Sequence, residues 1–119
     1  MSAQPEVAVI GAGVAGLACA SELARSDVTV TVLEARDGGL DVLRGRIWDA
    51  AVDTCGYVPR VVRASAELLA GSVGNYAFVS SLSVYSDDRT PGQDESAPVA
   101  RLEDPTAEEV TGESYGGLK

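Results

Sequence analysis

Gly11, Gly13 and Gly16 stand in G-x-G-x-x-G spacing, and Glu34 follows about twenty residues later. Residues of these types in this order can hold a dinucleotide. Gly11 allows a tight turn out of a strand. Gly13 has no Cβ, so a pyrophosphate can approach the backbone, and Gly16 lets a helix lie close to the strands. A helix opening near Val14 would present free N–H groups and a positive dipole end to phosphates. The Glu34 carboxylate can accept hydrogen bonds from ribose hydroxyls and repels a 2′-phosphate, which favours NAD or FAD over NADP. Arg36, two residues on, acts against that preference. A glycine turn of this kind also occurs in α/β folds that hold no ligand, so the surrounding elements must carry the argument.

Those elements have the required order. Val7 to Ile10 is an apolar run suited to a strand buried on both faces. A helix is expected from about Val14 to Arg25, packed through Leu17, Cys19, Ala20, Leu23 and Ala24. Val28 to Leu33 reads as a second strand. Gly38 and Gly39 break the chain, and Leu40 to Arg44 suits about one helical turn. Trp48 to Thr54 reads as a third strand. Pro59 suits the first position of a second helix, running to about Ser72 with Gly74 ending it. Val61, Val62, Ser65, Leu68 and Leu69 would face inward, and Arg60, Arg63 and Glu67 outward. Tyr76 to Ser80 reads as a fourth strand.

Strands alternating with helices predict a mostly parallel sheet of about four strands, in order 2-1-3-4, with right-handed crossovers and flanking helices. Ligands in such sheets bind beyond the carboxyl ends of the strands. Gly11, Glu34, Thr54, Cys55, Gly56 and Ser80 to Ser83 all fall at those ends and can converge on one crevice. Two open sheet edges could also template a homo-oligomer.

The chain has 119 residues, enough for one domain, 1–119, but not for a full dinucleotide-binding domain plus a substrate domain. Its net charge of −9 argues against a nucleic-acid surface and against acidic membranes. No apolar run is long enough for a membrane span, and no basic flank marks a secretory signal, so a cytoplasmic location is expected. Between Ser86 and Ser114 nine acids face only Arg89 and Arg101, which reads as a solvated, partly disordered loop. Cys19 and Cys55 read as small buried residues rather than a disulfide. The absence of histidine excludes His-based acid/base chemistry and a His-ligated metal site, and no metal site is expected.

Residues 7 to about 37, through VIGAGVAGLACASELA and VTVLEARD, resemble the N-terminal flavin-binding segment of FAD-dependent amine oxidases. In that family G-G-R usually follows; here Gly38-Gly39-Leu40 stands near that place. Residues 36–119 resemble an NAD-dependent epimerase/dehydratase, an extended short-chain dehydrogenase/reductase, through WDAAVDTCGYVPR, YAFVSSLSVY, QDESAP and the terminal Y-G-G-L-K. The chain thus looks like a join of two dinucleotide-binding proteins near Arg36–Gly39: a glycine-rich βαβ half, 1–36, and an epimerase-like half, 37–119, with the acidic loop at 86–114. The second family also has a further strand before WDAAVDT, for which there is little room here.

The second resemblance implies a minimal Rossmann-like fold, NAD as cofactor (FAD being the alternative) and a sugar nucleotide or similar substrate. It also implies a catalytic Ser81, Tyr115 and Lys119. Tyr115 would move the substrate hydroxyl proton, Lys119 would lower the Tyr115 pKa and hold the nicotinamide ribose, and Ser81 would hydrogen-bond the substrate oxygen. Because Lys119 is the last residue and Gly116 and Gly117 weaken a helix, binding is a firmer expectation than catalysis. The alternatives are an FAD-binding fragment of an amine oxidase-like flavoprotein and a non-catalytic fusion or fragment.

Overall fold

Short runs of β-branched residues and alanine form the sheet, because such side chains fit a pleated surface covered by helices. The computed structural model describes residues 3–34 and 39–119. Strand β1 (Glu6–Ile10) lies between β2 (Thr29–Leu33) and β3 (Trp48–Asp53), and β4 (Val73–Phe78) pairs with the outer side of β3. All pairings are parallel. Ile10 is opposite Leu33 on one side and Asp53 on the other, so the carboxyl ends of three strands are level. The expected strand order, 2-1-3-4, is the observed one.

Helix α1 (Val14–Leu23) joins β1 to β2, and α2 (Pro59–Leu69) joins β3 to β4. These connections step outward in opposite directions, so right-handed crossovers place the helices on opposite faces. Ala8, Ile10, Leu33 and Ala51 pack with Leu69 of α2, Leu43 and Trp48 into the main core. Val7 and Val9 alternate to the α1 face and are also buried. Leu43 comes from a short 3-10 turn, Gly39–Leu43, where one helical turn is expected. Among the described residues no further strand lies before β3.

Two expectations need correction. Helix α2 ends at Leu69, and Gly74 lies inside β4 instead of ending the helix. Ser72 turns the chain by returning its N–H and hydroxyl to the Leu69 carbonyl, and its own carbonyl accepts from Trp48 N at 2.8 Å to open the ladder. Gly74 then lies so close to β3 that a Cβ would stand 2.8 Å from the Asp49 carbonyl oxygen. Strand β4 therefore runs from Val73 to Phe78, not from Tyr76 to Ser80.

The second correction concerns α1, whose expected packed side is only partly covered. Leu17 is 54% exposed, Ala24 is exposed, and Gly16 is the buried residue. The helix is apolar on most sides, so whichever side faces the sheet, another is left in solvent. By contrast α2 behaves as expected: Ser65 and Leu69 are buried while Arg60, Arg63 and Glu67 are exposed.

Residues 86–114, expected as a solvated loop, are mostly exposed and form a succession of short turns. Asp87, Asp94 and Asp104 each accept the backbone N–H two residues on, from Arg89, Ser96 and Thr106. Hydroxyls of Thr90, Ser96 and Thr106 add to these bonds and hold the three carboxyls below their ordinary pKa. A bridge between Tyr85 and Val99 ties the segment to the stretch that follows β4, and a two-pronged ion pair between Arg60 and Glu108 ties it to α2. Cys19 and Cys55 are both half-buried. No helix among the described residues is long and apolar enough to cross a membrane.

Candidate dinucleotide site

The glycine turn is built as its spacing requires. Gly11 has φ +106°, which an L side chain rarely adopts, and its N–H donates to the Leu33 carbonyl at 2.7 Å. That bond ties the turn to the end of β2, where Glu34 begins the exposed wall. A Cβ on Gly16 would stand 1.7 Å from the Gly11 carbonyl oxygen, so only glycine lets α1 start this close to β1. A Cβ on Gly13 would meet nothing within 4 Å. Its missing side chain keeps open the space in front of the first turn of α1. Gly13 is the N-cap of that helix, and no side chain caps it.

These residues line a cleft of about 540 Å³ together with Glu34, Thr54, Cys55 and Tyr57. The opposite wall follows β3. Thr54 donates both its N–H (3.0 Å) and its hydroxyl (2.9 Å) to the Ile10 carbonyl. Beneath it Asp53 is 2% exposed; its carboxylate accepts Cys55 N–H at 2.9 Å and the Tyr76 hydroxyl at 2.6 Å. Burial, and then the bond to Asp53, push the Tyr76 phenol well above its ordinary pKa. Gly56 is packed against α2 and β4, since a Cβ there would fall 2.2 Å from Val62 Cγ2 and 2.5 Å from Phe78 Cε2.

Most of the residues expected to bind the cofactor thus meet around one cleft: Gly11, Gly13, Gly16, Glu34, Thr54 and Cys55 line it, and Gly56 supports its wall. Arg36 lies outside the described residues. Three contributors were not singled out from the sequence. Asp53 and Tyr76 brace the wall from below, and Tyr57 lines it. The signal for the first two was strand alternation: Ala51 pairs with Tyr76 and Asp53 with Phe78, which puts all four side chains on one face.

Ser81, Tyr115 and Lys119 lie on the β4 side of the cleft. Ser81 caps a short 3-10 turn, Leu82–Val84, its hydroxyl accepting Ser83 N–H at 3.2 Å. Tyr115 opens a single helical turn, α3 (Tyr115–Leu118). Gly116 and Gly117 let α3 approach closely: Cβ atoms there would stand 2.1 Å from the Ser83 carbonyl oxygen and 2.9 Å from Leu102 Cδ2. The Lys119 ammonium donates to the Gly56 carbonyl at 2.7 Å and lies 5.0, 5.1 and 5.8 Å from the ring centres of Tyr57, Phe78 and Tyr115.

A parallel sheet with a glycine turn and helix N-terminus at its carboxyl edge defines a class, and the chain belongs to it: the family of NAD(P)-binding Rossmann-like domains, whose model matches residues 9–69. Among individual proteins, a tryptophan 2-monooxygenase from Pantoea agglomerans pv. gypsophilae is 46% identical over 59 residues, covering 49% of this chain and 10% of that protein. The chain therefore spans a small part of that relative's length. No solved structure matches significantly. These matches agree with the amine oxidase-type resemblance of the N-terminal half. They lend no support to the epimerase/dehydratase resemblance, and they show no join between two proteins.

Proposed function

We propose that the chain is a nucleotide-binding portion of an oxidoreductase and that its ligand is FAD. The observation that carries this is the cleft in which the open side of Gly13, the uncapped start of α1 and the Glu34 wall meet. Choice of flavin rests on the monooxygenase relative: of the two kinds of dinucleotide, a flavin can react with dioxygen and a nicotinamide does not. Expecting NAD first, on the epimerase resemblance, gives way to this reading.

The chain's own part is binding and orientation. First-turn N–H groups of α1 favour negative charge, as a pyrophosphate carries. Glu34 suits ribose hydroxyls and disfavours a 2′-phosphate, and Tyr57 offers an aromatic wall. Titration of the purified protein with FAD, NAD and NADP tests this directly. Quenched flavin fluorescence at lower ligand concentration than either nicotinamide requires is the expected result. Binding of NAD alone would overturn the choice of flavin.

A second reading keeps Ser81, Tyr115 and Lys119 as a proton-transfer set acting with NAD. Its support is the packing of α3 against the turn that Ser81 caps. Loss of NAD-linked turnover in Tyr115→Phe is its expected signature, and unchanged turnover would sink it.

A further inference from the structure

We propose that Lys119 is a positioning residue for the dinucleotide cleft, acting as a latch on the back of the wall formed by Thr54 to Tyr57. The near end of this wall is fixed by the sheet, through Thr54 to the Ile10 carbonyl of β1 and Cys55 N–H to Asp53 of β3. At the far end, the Gly56 carbonyl and the Tyr57 ring project toward α3. The Lys119 ammonium engages both, at 2.7 Å and 5.0 Å. Phe78 and Tyr115 complete an aromatic surround within the range where a cation is attracted to ring faces. Tyr57 is 55% exposed, so little else packs on it, and it lines the cleft. One ammonium therefore fixes the backbone and the ring at the edge of the wall. It does so from the segment that follows the acidic turns, far in sequence from the glycine motif.

The ligand arm of this inference rests on the proposed dinucleotide binding, whereas its structural arm does not. Lys119→Met keeps most of the aliphatic stem and removes the cation; Lys119→Arg keeps a cation. Hydrogen exchange at the Gly56 and Tyr57 amides should be faster in Lys119→Met than in the wild type, and near wild type in Lys119→Arg. FAD affinity should fall about fivefold in Lys119→Met. Equal exchange and equal affinity in Lys119→Met and wild type would overturn the latch. If wild type binds neither FAD nor NAD, the proposed function fails, and the exchange comparison still decides the latch. If Lys119→Met does not fold, the wild-type Lys119 Hε resonances decide it. Upfield ring-current shifts support the surround, and unshifted resonances refute it.

Discussion

Tyr76 donates its hydroxyl hydrogen to the buried Asp53 carboxylate at 2.6 Å, linking β4 to the end of β3 directly below the cleft wall. Removing the donor leaves one carboxylate oxygen unsatisfied in a buried place. Tyr76→Phe should destabilise the fold by about 1–3 kcal/mol, measured by urea unfolding at neutral pH.

The same pair sets an alkaline limit. The Tyr76 phenol is raised in the folded state, first by burial and then by Asp53, so the folded protein holds this proton more tightly than the unfolded chain does. This contribution is fully present below the unfolded value of about 10 and is lost as pH rises from there toward the folded value. Stability of the wild type should fall more steeply above pH 10 than that of Tyr76→Phe. Parallel pH profiles would remove Tyr76 as the cause.

Two glycines of one motif should respond oppositely. Gly16→Val forces atoms into the Gly11 carbonyl and should cost more than about 3 kcal/mol, or prevent folding. Gly13→Ala meets open space and should cost within about 1 kcal/mol, the difference expected at an N-cap. Yet its methyl enters the cleft, so FAD affinity should fall about tenfold. Comparing melts with ligand titrations separates the two effects.

Glu34 stands in the cleft wall just after β2. Replacing its carboxylate with a hydroxyl, in Glu34→Ser, removes the repulsion of a 2′-phosphate. The NADP-to-NAD affinity ratio should rise on the order of tenfold by competition titration.

Arg60 and Glu108 join α2 to the acidic segment through an exposed pair. Their mutual hydrogen bond, with charge attraction, holds the Glu108 carboxyl below its ordinary pKa and raises the Arg60 guanidinium. A depressed carboxylate contributes above its unfolded pKa of about 4.3 and ceases to as pH falls through the folded value. Any melting difference between wild type and Glu108→Gln should therefore close at acid pH. It should also shrink near 1 M salt, where screening acts within about 3 Å.

The β1–turn–α1–β2 unit was legible in the sequence because its determinants are local: β-branched runs, three glycines at fixed offsets and an acid after the second strand. Gly74 misled because glycine after an amphipathic helix reads as a stop, whereas here it serves a contact with Asp49 on the neighbouring strand. Asp53 and Tyr76 could be placed on strands, but their bond depends on register across β3 and β4. Gly116 and Gly117 looked like weaknesses in a helix; their role as contact points for Ser83 and Leu102 exists only after the chain has folded back. The surround of Lys119 likewise joins residues from three separate regions.

Strand β1 is one of the two inner strands of the sheet, and it comes before the other three in sequence. One of its flanks can be satisfied as soon as β2 emerges, whereas the other must wait for β3, after a longer closure of chain. A nascent chain that stops short of Asp53 would thus expose a hydrophobic strand with one row of backbone donors and acceptors still open. During synthesis this interval leaves open an edge of β1 that the finished sheet covers with β3, an edge at which a wrong neighbour can pair.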